Sequence, residues 1–159
     1  MDADTAANAH PGFVEIIKNL SPDEARIMRL FSSRFQFPLV DLKAHSKERP
    51  HEYQDIVVNY SHVGREAGCE HIGLVQSYVD NLCRVRLLET EDSAQMAAPN
   101  TYEPLEQDPE LDDVKKQIDG SGRTVQFRRK IVRRTIWGSQ FCQACVIEKK
   151  AAAHLSDGA

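Results

Sequence analysis

Apolar residues recur along the chain in two rhythms, and the points where one gives way to the other mark its elements. Phe13, Ile16, Ile17 and Leu20 fall at spacings of three, one and three, a stripe that predicts a short helix from Pro11. Ser21-Pro22-Asp23-Glu24 is the clearest local signal. Ser serves as N-cap, Pro occupies the first helical position, and Glu at the third reaches back to the cap's own N–H. A helix therefore covers Ser21–Arg34, with Ile27, Met28, Leu30 and Phe31 inward and Arg26, Arg29 and Arg34 outward. Pro38 closes this region. Leu39 to Leu42 reads as a short strand or turn, and Ala44 to Glu52, without apolar period, as a loop.

Tyr53 to Tyr60, with Ile56-Val57-Val58, predicts a strand. Ser61–Ala67 then predicts a short helix, Gly68 a turn, and Glu70–Val85 a longer helix with Ile72, Val75, Val79 and Leu82 at spacings of three, four and three. Two helices about a glycine turn make a helix-turn-helix. Leu87–Thr90 reads as a strand and Pro109 to Ile118 as a small polar helix stopped by Gly120-Ser121-Gly122. In a second strand, Val125–Arg134, Val125, Phe127 and Ile131 share one face. Thr135 caps a last helix, Thr135–Ile147, in which Trp137, Phe141 and Cys145 recur every four residues. The order predicts a mostly helical α+β fold, a winged-helix-like domain over 11–148 whose wing is enlarged by an insertion at 92–122. Residues 1–10 have linker composition, and 149–159 that of a frayed tail.

Charge sharpens this picture. Between Leu87 and Val114 nine acids occur with no Lys or Arg among them, a run of −9. Six cations follow without an acid, Arg123, Arg128, Arg129, Lys130, Arg133 and Arg134, in a chain whose net charge is −4. Any polyanion binding must therefore be local. The 41% hydrophobic and 28% charged composition excludes collagen-like chains and wholesale disorder. Apolar runs are short and the first twenty residues carry Asp2, Asp4, Glu15 and Lys18, so neither a membrane span nor a secretory leader is expected. Four cysteines without a loop-rich framework read as reduced thiols, which places the chain in the cytoplasm.

The basic strand is the leading candidate for chemistry. Arg128, Lys130 and Arg134, at alternate positions, are expected to line an exposed face that meets phosphates, with Arg123, Arg129, Arg133 and the helix residue Arg84 as further contacts. The competing reading is that the strand pairs with the neighbouring acidic run. Against DNA, the outward positions of the second helix of the pair include Glu70, Gly73, Ser77, Asp80, Asn81 and Arg84, of which only Asn81 and Arg84 are typical base readers. Cys142 and Cys145, three apart on a helix, lack the second pair of a zinc knuckle, and Cys69 and Cys83 with His62 and His71 are read as structural, so no metal is expected. His45 and His51 lie near Glu48 and Glu52, yet no nucleophile or phosphate-cradling loop accompanies them. No catalytic residue or cofactor is assigned. Trp137 reads as core packing against Phe141 rather than an exposed anchor.

Particular residues carry a family resemblance. His10-Pro11-Gly12-Phe13-Val14-Glu15-Ile16-Ile17 with Leu20-Ser21-Pro22-Asp23-Glu24-Ala25, then Tyr78-Val79-Asp80-Asn81-Leu82-Cys83-Arg84, then Thr135-Ile136-Trp137-Gly138-Ser139-Gln140-Phe141-Cys142-Gln143-Ala144-Cys145, resemble the abortive infection alpha family of bacterial phage-resistance proteins. The resemblance spans about Pro11 to Val146 and implies a role in phage defence, with no catalytic residues to carry over. Proteins of this family usually have a further helical region ahead of the stretch that here begins near His10, so the chain is expected to be the carboxy-terminal domain of a longer design. Arg86 stands where a Gly is expected to lead into the strand. The first function read from all this is a non-enzymatic module binding a protein partner. A nucleic-acid-binding winged helix using 123–134 is the alternative, and a hydrolytic effector the third.

Overall fold

The structure, a computed structural model, describes residues 10–146, so the linker and tail expected at the two ends fall almost wholly outside the described residues. It is an α+β fold in which helix outweighs strand, with four strands in one antiparallel sheet. Helix α1, Pro11–Asn19, is capped by His10, whose Nδ1 accepts from the Gly12 N–H at 3.0 Å. Helix α2, Pro22–Ser33, carries the full capping box: Ser21 Oγ accepts from the Glu24 N–H, and Glu24 Oε2 accepts from the Ser21 N–H.

Strand β1, Gln36–Ser46, forms an antiparallel hairpin with β2, Tyr53–Tyr60, in a register running from Val40 opposite Tyr60 to His45 opposite Tyr53, with irregularities between Val40 and Lys43. The loop expected from Ala44 is thus a strand as far as Ser46. Asp41 and Lys43 alternate with Val40, Leu42 and Ala44 as strand residues do, and the polar stretch that begins at His45 hid how far the strand runs. Both charges are buried yet satisfied. Asp41 Oδ1 accepts from the Asn59 N–H at 2.9 Å, while Lys43 donates to Asp55 at 2.8 Å and lies over the Tyr53 ring.

The two helices expected around Gly68 follow as α3, Val63–Ala67, and α4, Val75–Arg84, the latter entered through a 3-10 turn at Ile72–Leu74. Strand β3, Leu88–Glu91, is reached through Arg86 at φ 64°, the left-handed conformation that a glycine takes most readily. Beyond it come α5, Glu103–Glu106, a 3-10 turn at Pro109–Leu111, α6, Asp112–Gly120, β4, Arg123–Arg134, and α7, Ile136–Phe141, which widens into a π turn over Cys142–Val146. The sheet order is β2-β1-β4-β3.

The chain divides into two compact units. One takes residues 10–36, 63–89 and 133–146 of the described chain and holds α1 to α4 and α7 around Phe13, Ile27, Phe31, Val79, Leu82 and Phe141. The other takes 37–62 and 90–132. Its core joins Val40, Leu42, Ala44 and Tyr60 of the hairpin to Tyr102, Leu105, Leu111 and Ile118 of the insertion. Tyr102 is fully buried there, donating from its hydroxyl to Lys130 O and accepting from the Met96 N–H, both at 2.9 Å. The segment 92–122 is therefore packed into a core, not merely a charged flap.

Candidate functional site

Strand β4 was expected to present its cations outward, and the structure turns several of them to its own fold. Lys130 is 4% exposed, which corrects its expected place on an open face. Its ammonium lies 3.1 Å from both Asp41 oxygens, 2.6 Å from Asn59 Oδ1 and 3.6 Å from Asp92. Asp41 offsets that burial, since a buried charge without a partner would be strongly destabilising. Arg129 forks onto Glu106 at 2.7 and 3.0 Å and reaches Glu103 at 3.4 Å. The Glu106 hydrogen bonds raise its already high pKa, so its charge is permanent. Arg128 lies 3.8 Å from Asp92, and Arg133 donates to Glu89 at 2.8 Å.

The remaining two cations meet neutral oxygens. Arg123 donates to Ser121 Oγ and Gln54 Oε1. Arg134 donates from Nη1 to Phe31 O at 2.6 Å and from Nε to Ser139 Oγ, closing an open carbonyl near the end of α2. Glu89, Asp92, Glu103 and Glu106, all from the −9 run, thus take up Arg128, Arg129, Lys130 and Arg133. The rest of that run is placed differently. Asp108 is buried, its Oδ2 lying 2.5 Å from His62 Nε2 and accepting from Tyr60 Oη at 2.7 Å, while Oδ1 accepts from the Glu110 N–H. This network joins residues 46 and 48 positions apart, so no sequence spacing announces it.

On α4, Asn81 is committed: its amide donates to Glu24 at 2.8 Å and its Oδ1 accepts twice from Arg84. Arg84 is exposed with Glu70, Leu74, Ser77 and Asp80, a surface of mixed charge. The other candidates are structural. His45 Nδ1 lies 2.8 Å from Pro50 O, and its ring stacks on Tyr53, which fixes the hairpin end. Cys69 and Cys142 are buried, and each thiol donates to a backbone carbonyl, of Asp23 and Met28 respectively. Burial pushes both thiols above their usual pKa, which disfavours the reactive thiolate. Trp137 packs on His10 and Phe13, with Phe13 in turn edge-on to Phe141.

What the sequence did not single out is a cavity of about 390 Å³ in the helical unit. Pro22, Ala25, Met28 and Arg29 contribute one face of α2, Ile17 and Leu20 come from α1 and its end, and Phe141 and Cys145 from α7 and the turn that continues it. Its floor is apolar and deep, since Met28 and Phe141 are buried. A signal was present in the sequence: Ala25, three before Met28, places a small residue beside the α2 stripe. An apolar recess of this size lies in the range of about 300–1,000 Å³ of ligand-binding clefts.

Comparison with known proteins agrees with the architecture. A solved structure described as an uncharacterized protein from the hydrocarbon-degrading marine bacterium Alcanivorax borkumensis SK2 is similar, with a TM-score of 0.56 and 22% identity over 84% of this chain and 92% of that one. At that identity the likeness concerns the fold alone. No curated protein matches the chain. The profile of the family described as abortive infection alpha matches residues 1–145, spanning the capped α1–α2 pair, α3, α4 and α7, and the chain belongs to that family.

Proposed function

We propose that this chain is a non-enzymatic protein-interaction module of an abortive-infection, phage-defence protein, built on a winged-helix-like frame. The frame reading is supported by the order of elements. A helix-turn-helix pair is followed by β3 and β4, with β4 returning between β1 and β3. The wing is then the 92–122 insertion and the domain 11–148.

One observation carries the preference for a protein partner: the basic strand spends its charge at home. Four of its six cations lie on the chain's own carboxylates, and the other two donate to serine, glutamine and backbone oxygens. A phosphate-binding strip needs cations whose counterions are displaced on binding, and cations paired within the fold release few. The cavity between α1, α2 and α7 offers what a protein partner uses instead, an apolar recess with a polar edge.

Fluorescence anisotropy with a labelled DNA duplex, single-stranded DNA and RNA at about 50 mM salt tests this. Binding no tighter than a weak, non-specific interaction is expected. Submicromolar binding that weakens steeply with salt and is lost on charge reversal at Arg123, Arg128 and Arg134 would establish the nucleic-acid alternative instead.

A further inference from the structure

Three features of the cavity between α1, α2 and α7 define what can enter it. The first is shape. The face of α2 that lines it runs from Pro22 to Arg29, about 10 Å at 1.5 Å per residue, or two turns of a helix lying alongside. The second is an apolar shoulder. Ile17, at the edge, is 52% exposed, and Val14, one turn earlier on the outward side of α1, is 51% exposed, so apolar surface continues out of the recess. A helix lying in such a groove presents anchors at i, i+3 or i+4, and i+7.

The third is charge. Arg29 on the rim is exposed, and no carboxylate among the described residues pairs with it. Across Leu20, which walls both, lies a shallower hollow of about 190 Å³ containing Arg84, whose guanidinium rests on the neutral amide oxygen of Asn81. Glu15, the acid lining either space, is matched by Lys18 at 3.8 Å. One cation on the rim and one in the neighbouring hollow are thus left with no free acid among the described residues that line either space. Rim charges of one sign steer and select partners of the other.

We infer that this groove seats an amphipathic helix of a partner protein that carries carboxylates beside its apolar stripe. The inference rests on the interaction-module reading and names the partner's chemistry. Two designed helical peptides test it on the full chain: both carry Leu at i, i+3 and i+7, one with Glu at the flanking positions and the other with Lys. By fluorescence anisotropy at about 50 mM salt the Glu peptide should bind at least tenfold more tightly than the Lys peptide, with the preference shrinking at high salt. Ile17→Glu should weaken the Glu peptide tenfold or more, and Arg29→Glu should reverse the preference. Both residues are exposed, so neither change threatens the fold.

Equal binding of the two peptides, binding of neither, or a preference that survives Arg29→Glu overturns the inference. So does displacement of the probe by a peptide of residues 147–159, which makes the chain's own end the occupant, or self-association lost in Ile17→Glu, which makes it a second copy. None of these results bears on the nucleic-acid measurements that decide the broader reading.

Discussion

Asp23 shows how one side chain can tie a helix start to a distant turn. It is 2% exposed, and its two oxygens accept from the Glu70 and His71 N–H groups at 2.9 Å each, with Arg26 at 2.5 Å. Burial pushes the carboxyl up, but those backbone donors, Arg26 and Tyr78 outweigh it and hold the pKa down at about 2. The charged form is thus favoured in the folded state. Its contribution to stability is fully present above the ordinary aspartate value and lost as pH falls through about 2. Urea midpoints measured from pH 5 downward should drop between about pH 4 and 2 in the natural protein. Asp23→Asn should be less stable at pH 7 and show a flatter profile in that window. Lys130 makes a second case, since it neutralises a buried carboxylate. Lys130→Met leaves Asp41 without its cation and should cost about 3–5 kcal/mol in chemical denaturation, with Asp41→Leu alongside recovering part of the loss.

At the scale of elements, the helices were legible because each signal is local. The Ser21 capping box, the Thr135 cap that accepts from the Gly138 N–H at 2.8 Å, and the three-and-four spacing of α4 act within a turn or two of chain. The hairpin was only half legible: β1 alternates from Val40 to Ala44, but the loop-like composition from Ser46 to Glu52 hid where the strand ends, and nothing in the spacing announced that its polar face, Asp41 and Lys43, is buried too. Helix α5 gave no signal, being four residues long and held by the Arg129 fork and Lys115, which donates to Glu106 O. Ser21→Ala should lower stability by about 1 kcal/mol, read as a shift in the urea midpoint without change of slope. Gly138 matters for a different reason. A Cβ there would sit 2.0 Å from Leu87 O, a backbone atom that cannot swing aside. Gly138→Ala should cost about 1–3 kcal/mol, the range for forcing atoms into a filled site.

For the molecule as a whole, charge segregation along the sequence left self-pairing open as the competing reading, and the structure places Glu103, Glu106, Asp92 and Glu89 beside cations of β4. Which acids would pair was beyond sequence reasoning, because the sheet order decides it. Asp108, by composition one more surface acid, is buried beside Tyr60 and His62. Replacing Glu103 and Glu106 with Gln frees Arg129 alone. The variant should elute from heparin at slightly higher salt than the natural chain, whereas replacing the exposed Asp112 and Asp113 should change elution only through net charge. Each such partly exposed pair contributes less than about 1 kcal/mol, so the fold should tolerate both.

The central place of β4 also governs how the chain comes into being. Asp41 and Lys130 are 89 positions apart, so at about 5–20 residues per second the ribosome makes the first roughly 4–18 s before the second. Throughout that interval the nascent β1–β2 hairpin has a bare edge, Leu39 to Ala44, with hydrogen-bonding groups open to any passing strand. The two charges that alternate with the apolar residues of β1 then act as gatekeepers. Asp41 and Lys43, hidden in the finished protein, interrupt an otherwise apolar stretch at the stage when it is exposed to other unfinished chains.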